Sequence, residues 1–400
     1  MKKAKAAVLA AALAVLGWAC GLASAADGQE EAAPAGWERD FPAKAVILME
    51  AESGRVLCGK EIHTRLPMAS TTKIMTALCA VESGRLGETV EIDRRMVGIE
   101  GSSIYLEAGE RLTVEELTYG LMLRSGNDAA VALAIALGGS VEGFAAQMNE
   151  RAAQLGLTHT HFTNPHGLPA EGHYTSALDL ARITCAAYEN AAFRRIVQTE
   201  YAVIPWTGHE FDRAMRNKNK LLTAYEGANG VKTGYTKAAG RCLVSGAERD
   251  GMQLIAVTLN APDMWNDAAA LLDYGFAAYE MREVLSMGEI VGSVPCADAE
   301  GGALPVAAAT AGRIPLKAGE EPFLRRILPE SISSPVAQGQ FLGYAILGTG
   351  EEELARVPLR AAAQVVRPRW TYGRSLQRVL AHWFAADDSP KRVETKEERT

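Results

Sequence analysis

Cysteine pairs are missing from this chain. Six cysteines occur in 400 residues, at Cys20, Cys58, Cys79, Cys185, Cys242 and Cys296. None stand in a Cys-x-x-Cys spacing, which argues against a disulfide framework and against a cysteine zinc cage. Single cysteines inside apolar runs, such as Cys79 and Cys185, read instead as small core residues. A basic surplus is missing too. Lys plus Arg number 41 against 48 Asp plus Glu, a net charge of −7, so the body of the chain offers no electrostatic footprint for nucleic acid. Nor is the composition that of a disordered chain, since 48% of residues are hydrophobic and 22% charged, close to globular averages. A length of 400 residues suggests two or three domains.

What is present divides the chain. Lys2, Lys3 and Lys5 precede the apolar run Ala6–Leu16 and then Ala23-Ser24-Ala25, the pattern of a signal peptide over residues 1–25, with a retained anchor helix or lipidation at Cys20 as the alternatives. Its removal on export makes the net charge three units more negative. Residues 26–41, rich in Ala, Glu, Gly and Pro, read as a flexible leader. Residues 42–280 read as an α+β domain. Val46–Met49 and Val56-Leu57 flank the turn Glu52-Ser53-Gly54 as a hairpin. After Pro67 the pattern turns helical, with Ile74, Leu78 and Val81 on one stripe, and further helices are expected over 113–123, 128–137, 141–155 and 177–188. Strands return at Val231–Thr236, Cys242–Glu248 and Met252–Leu259. A helix over about 264–279 follows, its buried face expected from Trp265, Ala268, Leu271, Leu272 and Phe276. Strands early and late around helices imply an antiparallel sheet assembled from both ends about a helical insert.

Residues 282–366 read as a small all-β domain, with strand-like segments at 283–285, 341–347 and 355–359. In the tail, 367–400, Leu376, Val379, Leu380, Trp383 and Phe384 fall at helical spacing beside Arg367, Arg369, Arg374 and Arg378. This predicts a C-terminal amphipathic basic helix, too short to span a bilayer and suited to lying on a membrane surface or to docking on the protein itself, ahead of a charged, disordered end.

Three short elements carry the chemistry. Ser70-Thr71-Thr72-Lys73 at a helix start puts the serine and lysine side chains on one face, where the lysine can take the serine proton. For that role the ammonium must lose its own proton near neutral pH, which desolvation or a nearby positive charge such as Lys232 promotes. The helix N-terminus favours negative charge building on a substrate oxygen beside Ser70. Ser125-Gly126-Asn127 lies between two predicted helices. Its hydroxyl can relay a proton, and its amide can bind a peptide carbonyl or hold a lysine. Lys232-Thr233-Gly234 sits in a predicted strand, where Lys232 and Thr233 can bind a carboxylate and Gly234 lets substrate backbone approach. An edge strand there can pair with an extended peptide.

The conjunction is the signature of penicillin-binding proteins and serine β-lactamases. Leu66–Thr76, Leu123–Ala129 and Gly230–Thr236 resemble the low-molecular-mass penicillin-binding proteins, and within them the serine-type D-alanyl-D-alanine carboxypeptidases. The likeness covers roughly residues 40–280, and more weakly the β domain and the tail. It implies a penicillin-binding/β-lactamase-like fold, removal of the terminal D-alanine from peptidoglycan stem peptides ending in D-Ala-D-Ala, and covalent capture by β-lactam antibiotics. By the same resemblance Ser70 is the nucleophile, Lys73 its base and Ser125 a relay. Asn127, Lys232, Thr233, Gly234 and Tyr235 bind substrate, with an oxyanion hole at the N–H groups of Ser70 and Tyr235. No metal or cofactor is required, and the expected location is extracytoplasmic, on the outer face of the cytoplasmic membrane. Two departures stand out. Tyr235 occupies a position where many relatives carry histidine, and no arginine lies near Trp265-Asn266-Asp267 to hold the substrate carboxylate, leaving Arg241 and Lys218 as substitutes.

Rival chemistries fare less well. A class A β-lactamase adds a glutamate followed four residues on by asparagine, whereas Glu142, Glu150, Glu171 and Glu189 are followed by Ala146, Gln154, Thr175 and Phe193. D,D-endopeptidase or transpeptidase activity stays open, because the same acyl-enzyme can form from or pass to another partner. A zinc peptidase would draw on His159, His161, His166 and His173, but no glutamate accompanies them at helical spacing, and they read as loop histidines. A non-enzymatic wall-binding protein has no need of the Ser70–Lys73 pair.

Overall fold

The computed structural model describes residues 41–367. The predicted signal peptide, all of the leader but Phe41, and all of the basic tail but Arg367 lie outside the described residues.

The chain begins as a hairpin of β1 (Ala45–Glu50) and β2 (Val56–Lys60), closed by Glu50. This buried carboxylate accepts from the N–H groups of Glu52 and Ser53 and from the Ser53 hydroxyl, at 3.0, 2.8 and 2.6 Å. A 3-10 turn, Ala69–Thr72, runs directly into α1 (Lys73–Glu82). A two-stranded ribbon follows, β3 (Thr89–Glu91) with β4 (Arg111–Thr113), then helices α2 (Val114–Tyr119), α3 (Asn127–Gly138), α4 (Val141–Gln154), α5 (Ala177–Glu189) and α6 (Ala191–Gln198). Helix starts are written into the sequence. Thr113 and Glu116 form a reciprocal capping box on α2, while Ser140, Ser176 and Asn190 cap α4, α5 and α6 through their side-chain oxygens, satisfying N–H groups that a helix cannot pair itself. A second ribbon, β5 (Tyr201–Ile204) with β6 (Arg213–Arg216), and the single turn α7 (Leu221–Ala224) lead to β7 (Ala228–Thr236), β8 (Gly240–Arg249), β9 (Met252–Leu259) and α8 (Met264–Ala278).

Five strands form one antiparallel sheet in the order β2-β1-β9-β8-β7. The first hairpin therefore pairs with strands some two hundred positions later, as expected of a sheet assembled from both ends, and β7 is left as an edge. Side chains alternate between faces along a strand. Ile47, Met49, Ile255 and Val257 face the helical layer with Ile74, Leu78, Leu133 and Ile183. Val46, Leu48, Leu254 and Ala256 face Leu271 and Leu272 of α8. On α8 the expected Ala268, Leu271 and Leu272 are buried, but Trp265 and Phe276 are only half-buried at the margin. Helix α1 departs the other way. Beyond the predicted stripe, Met75, Thr76, Ala77 and Ala80 are buried too, because α1 is wrapped by other elements, the usual place for a helix that is apolar all round.

From residue 279 onward the described regular structure is strand, apart from a 3-10 turn at Glu300–Gly302: β10 (Tyr279–Leu285), β11 (Ile290–Pro295), β12 (Ala303–Ala308), β13 (Gly312–Lys317), β14 (Pro322–Ile327), β15 (Phe341–Thr349) and β16 (Glu352–Ala361). The described residues divide into two compact units. One takes 41–284 with 312–325 and 346–356, and the other takes 285–311, 326–345 and 357–367. In the second, β11 pairs antiparallel with β12, and β12 with the end of β16; Val294, Leu304, Val306 and Leu359 are buried there.

One buried ion pair braces the helical layer of the first unit. Arg213 on β6 donates to both oxygens of Glu110, at 3.0 and 3.1 Å, and to the carbonyls of Tyr105 and Pro205, with its guanidinium stacked on Trp206. Glu110 and Arg213 side chains are 2% and 6% exposed. Removing one partner strands the other charge away from water, so Glu110→Ala is expected to cost about 3–5 kcal/mol, read as the loss in unfolding free energy by denaturant titration. A loss under about 1 kcal/mol would show that water reaches Arg213.

Candidate active site

Helix α1 places Lys73 one turn beyond Ser70, and the core around the helix removes the lysine from water altogether: its side chain is 0% exposed. Its amine lies 2.7 Å from Asn127 Oδ1, 2.6 Å from the carbonyl oxygen of His166 and 3.0 Å from Ser70 Oγ. The Asn127 amide is oriented unambiguously, because its Nδ2 donates to the Glu100 carbonyl at 2.5 Å. Two of Lys73's three partners can therefore only accept. A neutral amine has two N–H bonds and one lone pair. With both N–H groups given to Asn127 and His166, the lone pair is left for the Ser70 hydroxyl, which is the geometry of a base poised to take a proton. The electrostatics point the same way. Burial pushes the Lys73 amine well below the ordinary lysine range, and the positive charges of Lys232 and Lys218 push it further, against a smaller opposing effect of Asp128.

Asn127 is brought to this point, with Ser125 two residues before it, by a distorted helix end. A turn of π-helix, Gly120–Arg124, closes on Ser125, whose φ of +63° reverses the chain into α3. Both side chains are buried. The middle residue is glycine for a local reason: a Cβ at Gly126 would stand 2.7 Å from Asp128 Oδ1 and 3.2 Å from Ile104. The Asp128 carboxylate is already committed, accepting from Ser103 Oγ and from the N–H groups of Ile104, Leu106 and Ala129. It pins the 103–106 loop against the start of α3.

Edge strand β7 supplies the third side. Lys232 is 2% exposed and donates to the Thr233 carbonyl at 3.0 Å; burial and then Lys218 lower its amine to about 7. Gly234 is pressed against the protein's own nucleophile turn rather than held open. A Cβ there would sit 3.0 Å from Ser70 N and 3.1 Å from the Met68 carbonyl. The Tyr235 side chain is exposed. Of the two candidate substitutes for a carboxylate-binding arginine, Lys218 is the one whose charge reaches both buried lysines, and it donates to Ser102 Oγ at 3.1 Å. Arg241 is exposed and stands opposite Tyr235 in the β7–β8 register.

Two contributors escaped the sequence reading. His166 acts through its backbone carbonyl on Lys73, with its ring lowered to about 3, chiefly by burial. The Asn164 side chain turns this loop by accepting from the N–H groups of His166 and Gly167, and Asn164-Pro165 is the only signal the sequence carried. His173 is buried and hydrogen-bonded to Thr72 at 2.9 Å. The four histidines do not gather around an ion site; among the described residues no three His, Cys, Asp or Glu side chains group as metal ligands. A cleft lined by Pro67, Gly167, Pro169, Ala170 and Thr236 opens beside the nucleophile turn.

Comparison with known proteins gives the family of the chain. Residues 29–263 match the family model described as D-alanyl-D-alanine carboxypeptidase. The chain is 34% identical over 355 residues to the Bacillus subtilis D-alanyl-D-alanine carboxypeptidase DacF, covering 85% of this chain and 90% of that one. It is 35% identical to the Escherichia coli enzyme DacC over 60% of this chain and 62% of that one. Among solved structures it resembles penicillin-binding protein 5 of Haemophilus influenzae, with a TM-score of 0.68 and 27% identity over 82% of this chain and 99% of that one. A Streptomyces DD-transpeptidase matches with a TM-score of 0.57 and 35% identity, over 60% of this chain and all of that one.

Proposed function

The chain belongs to the serine-type D-alanyl-D-alanine carboxypeptidase family, and on that premise we propose that Ser70, activated by neutral Lys73, cleaves the terminal D-alanine from peptidoglycan stem peptides. The observation that carries this reading is the buried Lys73 amine, 2.7 and 2.6 Å from two carbonyl oxygens and 3.0 Å from Ser70 Oγ, where a neutral amine gives its N–H groups to the carbonyls and keeps its lone pair for the hydroxyl. Lys232, Thr233 and Lys218 hold the substrate's terminal carboxylate. Ser70 Oγ attacks the carbonyl of the penultimate D-alanine while Lys73 takes its proton. The oxyanion is held by the N–H groups of Ser70 and Tyr235, a pairing supported by the close approach of Gly234 to Ser70 N. Protonated Lys73, with Ser125 as relay, returns the proton to the leaving D-alanine amine, and water then hydrolyses the ester. Every group named belongs to the first compact unit.

A β-lactam enters the same site as a covalent inhibitor. None of Lys73's three partners is a carboxylate, so nothing in that cluster resembles a glutamate base for rapid release. Transfer of the acyl group to an amine instead of water is the second reading, favoured by the likeness to a DD-transpeptidase.

Incubation with benzylpenicillin should give a stable one-to-one adduct on Ser70, seen by intact-protein mass spectrometry and absent in Ser70→Ala. Release of D-alanine from a diacetyl-lysyl-D-Ala-D-Ala peptide should be blocked by the same treatment. Rapid penicillin turnover without adduct would refute the assignment.

Activity appears as pH rises through the depressed value of Lys73, which must be neutral, and kcat/KM falls as pH rises through about 7, where Lys232 of the free enzyme loses its charge. The alkaline limb should be weaker in kcat, because a bound carboxylate restores the Lys232 proton. Removing the neighbouring charge in Lys232→Met should raise Lys73 and move the acid limb to higher pH, and Lys218→Ala should do so less. An acid limb indifferent to Lys232 contradicts this electrostatic account.

We further propose that the chain works outside the cytoplasm after loss of residues 1–25 and is held to the membrane surface by 367–400. Among the described residues no single helix is long and apolar enough to cross a membrane. Deleting 367–400 should leave D-alanine release unchanged and abolish sedimentation with anionic phosphatidylglycerol vesicles; undiminished sedimentation would remove the anchor.

A further inference from the structure

We propose that His173 is a positioning residue for the oxyanion hole: acting through Thr72, it fixes and polarises the Ala69–Ser70 peptide, whose N–H is one of the two donors. The inference rests on the reading of the site given above. His173 Nδ1 accepts from the backbone N–H of Thr163 at 3.1 Å. A backbone N–H can only donate, so the neutral ring carries its proton on Nε2. Burial and then His161 lower the ring to about 4, in keeping with that neutral tautomer. Nε2 therefore donates to Thr72 Oγ1 at 2.9 Å, and Thr72 Oγ1 donates onward to the Ala69 carbonyl at 2.8 Å.

The end of this relay matters because the peptide group is planar. Holding the Ala69 carbonyl sets the direction of the N–H on its other side, which is that of Ser70. A donor on the carbonyl also draws charge through the amide and makes the N–H a stronger donor. The peptide needs such support, since Ala69 stands at φ +47°, a conformation that L residues other than Asn, Asp and His seldom adopt. The 164–173 loop closes on the same carbonyl: a Cβ at Gly167 would fall 1.9 Å from Ala69 O. The Phe162 ring packs edge-on to His173 at 6.0 Å between centroids. Neither His173 nor Thr72 hydrogen-bonds to Ser70 Oγ or Lys73 Nζ, so the effect of this pair is on the oxyanion and not on the base.

The test compares His173→Phe, which keeps the bulk and loses the donor, with His173→Gln, which keeps a donor near the Nε2 position. His173→Phe should lower kcat about 10–100-fold with KM nearly unchanged, less than the roughly 10²–10³ of losing an oxyanion donor outright. Affinity for a D-alanine boronic acid peptide, which mimics the tetrahedral intermediate, should fall in parallel. His173→Gln should recover most of both. Thr72→Val should reproduce the loss, and adding His173→Phe to it should change little, since the two residues act in series. All rates are taken below the thermal midpoints of the variants, so that a folding defect is not read as chemistry. The proposal fails if His173→Phe keeps wild-type kcat, if His173→Gln is no better than His173→Phe, or if the two losses multiply. An intact Ser70 penicilloyl adduct alongside any of these defeats the relay alone, whereas a wild-type protein that forms no adduct at Ser70 defeats the reading of the site as well.

Discussion

A lysine amine kept out of water is the constraint on which the rest of the catalytic unit depends. Burying an ammonium is costly, and the group escapes the cost by giving up its proton. A neutral amine still has to place its polar bonds, and Lys73 places them on carbonyl oxygens that lie 54 and 93 residues further along the chain. The base therefore exists only when α1, the start of α3 and the 164–173 loop are packed together. The apolar burial of α1 on all sides serves chemistry as well as stability. It supplies the dry environment, and it holds Ser70 and Lys73 on a helix that cannot turn without displacing its neighbours.

The sheet answers a second requirement. A neutral lysine is favoured by positive charge nearby, and a substrate ending in a carboxylate needs positive charge to hold it. One edge strand meets both needs. Lys232 on β7 is itself buried, so its field on Lys73 is little screened by water, and Lys218 adds to the effect from the rim. Two buried lysines and an alanine at positive φ are local costs, and the interlocked cores on the two faces of the sheet offset them, as is usual where a functional site departs from the rules of good packing. An edge position also explains why this strand, and not one of its neighbours, carries the motif: only an edge offers unpaired backbone to an extended peptide.

Chemistry that resides in side chains was legible in the sequence, and chemistry that resides in backbone was not. Ser70, Lys73, Asn127 and Lys232 stand in motifs whose resemblance to a known family singled them out, and the structure brings them together, with Ser125 buried two residues before Asn127. The His166 carbonyl could belong to any residue. His173 stood in plain view among four loop histidines, but its contact with Thr72 spans 101 residues, beyond any local pattern. Gly234 was read as room for substrate, although its nearest neighbour is the turn that bears Ser70. The same division holds for the fold. The long hairpins and capped helices were readable from period and turn residues. Strands β12 and β13 contain Pro305 and Pro315, residues that argue against a strand. The β5–β6 ribbon is too short, four residues a strand, to show an alternation.

The identity of Lys73's third partner also bears on why this site is a peptidase site and not a β-lactamase site. Suppose a carboxylate stood where the His166 carbonyl stands, 2.6 Å from the amine. An anion at that distance in a buried site would favour the ammonium strongly. The lone pair facing Ser70 would vanish, and the duty of base would pass to the carboxylate, which could then also activate water against the acyl-enzyme. A carbonyl oxygen accepts a hydrogen bond with only a partial charge. It orients the amine without protonating it, and leaves the lysine as the base for acylation. The choice of a neutral acceptor thus couples two properties that look separate: a lysine able to activate Ser70, and an ester with β-lactams that no neighbouring carboxylate of that cluster helps to hydrolyse.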